Sequence, residues 1–264
     1  MNTNKSKAVS TIPCNNVAHL IGELKEDFTF NHICRGTKMY SSVIAVRRDS
    51  GVEDILPIMV PNKVKIVKEF KKTVKNPVGA VVEIKGRLSS FNERLPERIR
   101  LRIFIKVKTL TLMAKDTKHV NEISLRGYIC KEVNYRTTPG KTDEKGNIIK
   151  KPSRITDILL AINNKALKTS YYIPCIAWNK EADHASYLKV SDKIAVKGRM
   201  QSREYRKEIF VQPDSNEKKV NNDRQFETRV AYELSINTLS EVIGDVEVGE
   251  AEVTVATDSD GFNL

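Results

Sequence analysis

Apolar and polar residues alternate with a period of two along several short stretches of this chain. In the clearest stretch, residues 98–108, the polar positions are mostly Arg or Lys. Successive side chains of a β-strand point to opposite faces, so the pattern predicts a half-buried strand with a basic outward face. The apolar members of this strand are Ile99, Leu101, Ile103, Ile105 and Val107.

Two segments have a helical spacing instead. Apolar residues recur three and four positions apart at Val64, Val67, Phe70 and Val74, which predicts a short helix. The corresponding segment in the second half of the chain, Glu181 to Leu188, is shorter. The pattern as a whole therefore predicts an all-β protein with a minor helical component.

The chain also contains an internal repeat. Residues 55–63 align with residues 172–180 at an offset of 117. Four further short matches follow the same order, and they join residues 20–22 to 125–127, 43–46 to 159–162, 85–90 to 197–202 and 105–110 to 234–239. One such match could arise by chance, whereas five in order indicate a duplicated domain.

Each copy has five predicted strands with a helix after the third, which is typical of a small Greek-key barrel such as the OB-fold. We therefore predict two tandem five-stranded OB-fold barrels followed by a disordered acidic tail. The predicted limits are a flexible arm over residues 1–13, barrels over 14–117 and 118–240, and a tail over 241–264.

Charge is distributed unevenly along the chain. The 45 Lys and Arg residues outnumber the 33 Asp and Glu residues, yet residues 241–264 contain seven acidic residues and no basic one. A basic body predicts a polyanionic partner, and an acidic tail is typical of a docking peptide. Neither a membrane span nor a secretory signal is expected from the hydropathy.

No catalytic or metal-binding pattern stands out. The segment 139–142 resembles the end of a phosphate-binding loop, but Tyr135 stands where that motif needs a glycine. The four cysteines, at positions 14, 34, 130 and 175, form no CxxC pair. We expect no enzymatic activity, no cofactor and no metal.

Cations and aromatic rings share the outward strand faces of both copies. In the second copy, one face of a predicted strand carries Lys197, Arg199, Arg203 and Tyr205. The corresponding face in the first copy carries Lys85, Arg87 and Phe91. Tyr172 and Trp178 share a parity on the preceding strand. Such faces suit a groove that follows phosphates and stacks bases. A core position for Trp178 and an ordinary solvated basic surface stay open as alternatives.

The second copy resembles the bacterial and phage single-stranded DNA-binding protein family. The resemblance rests on residues 172–180, Tyr187-Leu188 and residues 194–205, and it extends to 121–127 and 135–141. It implies OB-fold barrels, assembled four to a unit, that bind single-stranded DNA of any sequence in replication, recombination and repair. A chain with two barrels would then form a homodimer, in the cytoplasm of a bacterium or of a phage host.

The resemblance also implies roles for individual residues. Bases would stack on Tyr172, Trp178 and Tyr205, while Ala166 stands near a further stacking position of the family. In the first copy Ile55, Pro61 and Glu93 replace the three aromatic residues, and Phe91 is the candidate substitute. The predicted phosphate contacts are Lys197, Arg199, Arg203, Lys85, Arg87, Arg100 and Arg102.

The tail is similar to the family's acidic tails, which dock replication and repair proteins. The residues that would make this contact are Asp258, Asp260, Phe262 and Leu264. Two other functions stay open at this point. The barrels could bind RNA, since stacking and phosphate neutralisation do not distinguish the two nucleic acids. Alternatively, the barrels could mainly form interfaces while the tail recruits enzymes.

Overall fold

The structure is a computed structural model that describes residues 15–62, 66–96, 98–146, 148–164, 168–209 and 225–242. The predicted arm over residues 1–13 lies outside the described residues. So do Ala166 and the four predicted docking residues of the tail, Asp258, Asp260, Phe262 and Leu264.

The first half of the described chain forms six strands and one helix. The strands are β1 (Asn16–Leu24), β2 (Thr29–Cys34), β3 (Thr37–Arg47), β4 (Glu53–Pro61), β5 (Val81–Leu95) and β6 (Arg98–Leu112). Helix α1 (Ile66–Thr73) lies between β4 and β5, as the helical spacing predicts, and buries Val67 and Phe70.

The second half has a similar order of elements. Its strands are β7 (Val120–Ile129), β8 (Asn134–Thr138), β9 (Lys141–Thr142), β10 (Ile148–Lys150), β11 (Ser153–Asn164), β12 (Thr169–Trp178), β13 (Lys193–Ile209) and β14 (Gln225–Glu241). The short helix α2 (Lys180–Ala185) follows β12 and buries Ala182 and Ala185. None of the described helices is long and apolar enough to span a membrane.

Five strands of each half close into a barrel. In barrel 1 the closed order is β1-β3-β4-β6-β5, and in barrel 2 it is β7-β11-β12-β14-β13. Closure needs one parallel pair in each barrel, β4 with β6 and β12 with β14. A closed barrel leaves few free strand edges and buries its inward-facing apolar side chains. The buried side chains of both barrels belong to one contiguous apolar cluster.

The two barrels are joined through their first strands. β1 and β7 pair antiparallel, and Ala18 lies opposite Ile123, its own counterpart at the repeat offset of 105. An approximate two-fold axis therefore passes through this pair. We call the β1–β7 junction the seam.

Hydrogen bonds across the barrels obey the same symmetry. The Ser90 hydroxyl accepts the Tyr172 N–H at 2.9 Å, and the Ser202 hydroxyl accepts the Ile55 N–H at 2.9 Å. Ser90 and Ser202 are repeat counterparts, and so are Ile55 and Tyr172. The start of β12 is thus fixed against β5, and β4 is fixed against β13.

Glycine is needed where the long strands bend around each barrel. A Cβ atom on Gly198 would collide with the carbonyl oxygen of Ser235, and one on Gly86 would collide with that of Lys106. The strand register shifts beside both glycines. The close approach of the two backbones thus accounts for the Lys-Gly-Arg sequence that the two copies share.

Four strands are longer than the sequence predicts. β5 and β6 have 15 residues each, and β13 and β14 have 17 each. Their hairpins project beyond the barrels, and we call these projections arm 1 (β5–β6) and arm 2 (β13–β14). Ile99, expected on a buried face, is 68% exposed because this part of arm 1 has left the core.

The segment between the barrels is held to barrel 1 by a histidine. The His119 Nδ1 atom accepts a hydrogen bond from the Arg47 N–H at 2.8 Å. Burial, followed by the Arg47 charge, lowers the pKa of His119 from its ordinary value of 6.5, with Glu53 and Glu23 opposing and Lys25 adding a small effect. The contact therefore requires the neutral imidazole.

This contact makes the stability pH-dependent. The folded-state pKa of His119 lies below 6.5, so the unfolded chain binds more protons, and the free energy of unfolding falls as pH drops from about 6.5 through the folded pKa. We expect His119→Asn to show a smaller loss than the unchanged chain between about pH 8 and about pH 5. Urea unfolding at both pH values measures this, and equal losses would contradict it.

Candidate nucleic-acid interface

β12 carries two of the predicted stacking residues on its outward face. Tyr172 is 42% exposed and Trp178 is 36% exposed, whereas Ile173, Cys175 and Ala177, which point inward, are buried. The strand alternation thus places both rings on the surface of barrel 2. Trp178 lies opposite Ile155 of β11 in the strand register.

A groove runs between barrel 1 and the two arms. Its volume is about 580 Å³. Phe91, Arg100 and Arg102 of arm 1 line it together with Tyr205 of arm 2. Four predicted site residues from the two copies are thereby brought to one place, which we call the inter-barrel groove. Tyr172 and Trp178 do not line it.

Arg102 in the groove and Arg203 beside it have close partners. Arg102 Nε donates to Glu93 at 2.6 Å, and this hydrogen bond lowers the pKa of Glu93 against the opposing effect of burial. The Arg203 guanidinium lies 5.9 Å from the centre of the Tyr205 ring, within the range of a cation–π contact. Glu93 therefore offsets part of the positive charge, and Arg203 supports the ring that faces the groove.

Two of the predicted phosphate contacts lie at the seam instead. Lys85 is opposite His19 of β1, and Lys197 is opposite Ser124 of β7. β14 separates Lys197 from β12, so the structure does not bring these two lysines together with Tyr172 and Trp178. Lys85 also has an ion-pair partner, Glu83, at 3.4 Å.

The repeat counterparts Arg87 and Arg199 differ in environment. Arg87 is exposed and makes no ion pair among the described residues. Arg199 is half-buried and near Arg48 and Asp54, and burial is the main cause of its lowered pKa. Its Nη2 atom donates to Gln201 Oε1 at 3.3 Å. Arg199 thus faces the barrel junction more than open solvent.

The sequence reasoning missed several residues on the outward face of barrel 1. Phe104, Met59 and Met39 line a second, mostly apolar cavity of about 440 Å³. Phe104 has the outward parity of the cationic strand and could have been recognised from that pattern. The methionines carried no signal, because an apolar residue of either parity is normally assigned to a core.

The family model of the single-strand binding protein family matches residues 120–226. This match confirms the resemblance noted in the sequence and agrees with the expectation that the chain is not an enzyme. A search of curated proteins finds no relative.

Two solved structures from Thermus aquaticus share the fold of nearly the whole chain. The wild-type single-stranded DNA binding protein is 16% identical, with a TM-score of 0.61, over 89% of this chain and 96% of that one. A deletion mutant of that protein is also 16% identical, with a TM-score of 0.60, over 87% and 95%. The prediction of two tandem OB-fold barrels is thereby confirmed.

Proposed function

We propose that this chain binds single-stranded DNA without sequence preference, coating and protecting it. The match of the single-strand binding protein family model to residues 120–226 supports this proposal. The observation that carries the proposal is the exposure of Tyr172 and Trp178 within the family-matched segment. Binding through exposed rings and cations needs no base-edge code. We further propose that the coated strands arise in replication, recombination and repair.

Bases stack on Tyr172 and Trp178 of barrel 2, and on Tyr205 and Phe91 in the inter-barrel groove. Every base has a π-face, so stacking tolerates any sequence. The rings are held on strands, or braced by neighbours such as Arg203 and Phe104. Their support is thus in place before DNA arrives, which limits the entropy lost on binding.

Phosphates are neutralised by the basic residues around these rings. Arg100 and Arg102 line the groove, and Arg203 lies beside Tyr205. Arg87, Arg199, Lys85 and Lys197 extend the positive field towards the seam. Each phosphate contact releases counterions, so affinity falls as salt rises.

Competition binding tests this function. Fluorescence anisotropy would follow a labelled oligo-dT while unlabelled single-stranded RNA or duplex DNA of matched length is added. We expect the single-stranded DNA competitor to displace the label at lower concentration than either alternative. Better displacement by RNA would reassign the barrels to RNA, and absence of binding to oligo-dT would refute the proposal.

Glu93 gives a specific prediction. Glu93→Gln removes a negative charge from the groove and releases Arg102 from its ion pair. Binding of oligo-dT should tighten, and the salt dependence should steepen by about 0.7 log units per log unit of salt for one additional phosphate contact. Glu69→Gln, which removes an exposed carboxylate from its ion pair with Lys72 on helix α1, is the matched control. Unchanged or weaker binding by Glu93→Gln would contradict the groove as the phosphate path.

We also propose the limits and assembly of the protein. Two functional units over residues 14–117 and 118–240 follow from the repeat and from the two closed barrels. Two chains would form a homodimer with four barrels, by analogy with the family's four-barrel units. The homodimer would act in the cytoplasm of a bacterium or of a phage host, where single-stranded DNA is exposed.

The acidic tail is the proposed docking segment for replication and repair proteins. Its acidic residues Asp258 and Asp260 precede the apolar residues Phe262 and Leu264. An acidic peptide with an apolar end suits a pocket with a basic rim. Truncation after Ser240 should abolish capture of such partners while leaving binding of oligo-dT in place.

A further inference from the structure

The 440 Å³ cavity on barrel 1 has walls from both barrels. Met39, Met59 and Phe104 form the apolar side on barrel 1. Thr169 and Tyr171, at the start of β12, close the cavity from barrel 2. The hydrogen bond between Ser90 and Tyr172 holds β12 in this position. The cavity is therefore formed by both barrels, at the place where β12 packs against barrel 1.

The cavity opens into the inter-barrel groove. Five residues line both, and they are Asn31, Met59, Phe91, Glu93 and Phe104. A strand whose phosphates follow Arg100 and Arg102 in the groove would pass directly beside the mouth of the cavity. A base turned out of that strand could enter the cavity while the phosphates on either side of it stay in contact with Arg100 and Arg102.

The chemistry of the walls suits a flat aromatic heterocycle. The Phe91 and Phe104 rings meet edge to face, with centroids 5.9 Å apart, and so present fixed aromatic surfaces. Methionine side chains adapt to rings of different shape. Asn31, Glu93 and Ser89 supply a few polar groups for the edge of the ring.

The side chains that form this cavity on barrel 1 differ from those at the counterpart positions of barrel 2. The repeat counterpart of Met59 is Ile176, a β-branched residue in place of the flexible methionine. The counterpart of Phe104 is Glu233, a charged residue. The two copies have therefore diverged at this position, with exposed rings on barrel 2 and an enclosed apolar site on barrel 1.

We propose that this cavity captures one nucleobase from the single-stranded DNA that lies in the inter-barrel groove. This inference rests on the proposed function, since it needs the strand in the groove. It gives barrel 1 a base-binding role even though Ile55 and Pro61 replace the aromatic residues found on barrel 2.

Two variants and one control test the cavity. Thr169→Trp fills it from barrel 2, and Phe104→Ala removes a wall from barrel 1. Ile99→Ala trims an exposed apolar residue on the same strand as Phe104 but outside the cavity. Circular dichroism and thermal unfolding establish that each variant folds, and the two cavity variants act from opposite sides, so a folding defect in one leaves the other informative.

Photo-crosslinking supplies the readout. An oligo-dT that carries single 5-iododeoxyuridine substitutions is irradiated in complex with the full chain, and the crosslinked residues are located by mass spectrometry. We expect crosslinks at Phe104 or Tyr171 in addition to Tyr172 or Trp178. Thr169→Trp should abolish the Phe104 and Tyr171 crosslinks, and Phe104→Ala should weaken oligo-dT binding about fivefold or more, as expected for the loss of one stacked base. Ile99→Ala should do neither.

The outcomes distinguish failure of the base-capture proposal from failure of the proposed single-stranded DNA binding. Crosslinks confined to Tyr172, Trp178 and the arms, with unchanged affinity in both cavity variants, would overturn the base-capture proposal and leave single-stranded DNA binding intact. Absence of crosslinks together with absence of binding by the unchanged chain would overturn both.

Discussion

Replacing Asp54 with Ala should lower the free energy of unfolding by about 3–5 kcal/mol, the range for breaking one side of a buried ion pair. Asp54 is fully buried, and its carboxylate is bound by the Arg48 guanidinium through two hydrogen bonds. It also accepts the Ser202 N–H at 3.2 Å, which ties barrel 1 to β13. Removing it leaves the charge of Arg48 uncompensated, close to Arg199.

Chemical denaturation measures this loss. Asp157→Ala is the control, because its ion pair with Arg136 is partly exposed, with side-chain exposures of 37% and 42%. That change should cost about 1 kcal/mol or less. A loss for Asp54→Ala as small as the control's would contradict a stabilising role for the buried Asp54 carboxylate and its contacts with Arg48 and Ser202.

The second large effect is on DNA binding. Replacing both Tyr172 and Trp178 with Ala should weaken affinity for oligo-dT by about 30-fold to about 10⁴-fold, since each stacked base contributes about 1–3 kcal/mol. Both side chains are exposed, so the core should be largely unaffected. Titration of labelled oligo-dT into the double variant, alongside thermal unfolding, measures the two effects separately.

Tyr128 provides a matched control for this double variant. Tyr128 is exposed to the same 36% as Trp178, but it lies on β7 with the Lys193 ammonium 5.6 Å from its ring centre. Tyr128→Ala should leave affinity nearly unchanged. Equal weakening by the control and the double variant would place the main contact surface at the seam side of barrel 2 instead.

Much of the architecture was predictable from the sequence. The repeat offsets indicated two similar domains, and the alternation of apolar residues indicated strands. The spacing of Val67 and Phe70 indicated the helix between β4 and β5. These features depend on local periodicity, which a chain displays directly in its sequence.

The contacts between the two barrels could not be predicted from the sequence in the same way. Asp54 binds Ser202, 148 positions away, and its repeat counterpart is Tyr171. No periodicity links residues that meet only because two folded surfaces pack. The exposure of Ile99 was wrongly predicted for a related reason, since alternation cannot show where a strand leaves its barrel.

For the candidate site too, features of a single strand could be predicted, and features that depend on packing between the copies could not. The alternation correctly placed Tyr172 and Trp178 on one outward face of β12. Only the packing of arm 1 against arm 2 brings Phe91 and Tyr205 into one groove, and only the start of β12 closes the cavity over Phe104. Roles for single strands were thus accessible from sequence, whereas sites shared between the copies were not.

The central claim is that single strands bind across Trp178, and tryptophan fluorescence tests it most directly. Trp178 is the only tryptophan, so its emission reports on the proposed stacking site alone. We predict saturable quenching by oligo-dT, none by duplex DNA, and an affinity that falls by about 0.7 log units per phosphate contact for each log unit of salt. Emission that stays constant while anisotropy shows oligo-dT to be bound would contradict the claim, and absence of any binding would refute the proposed function as well.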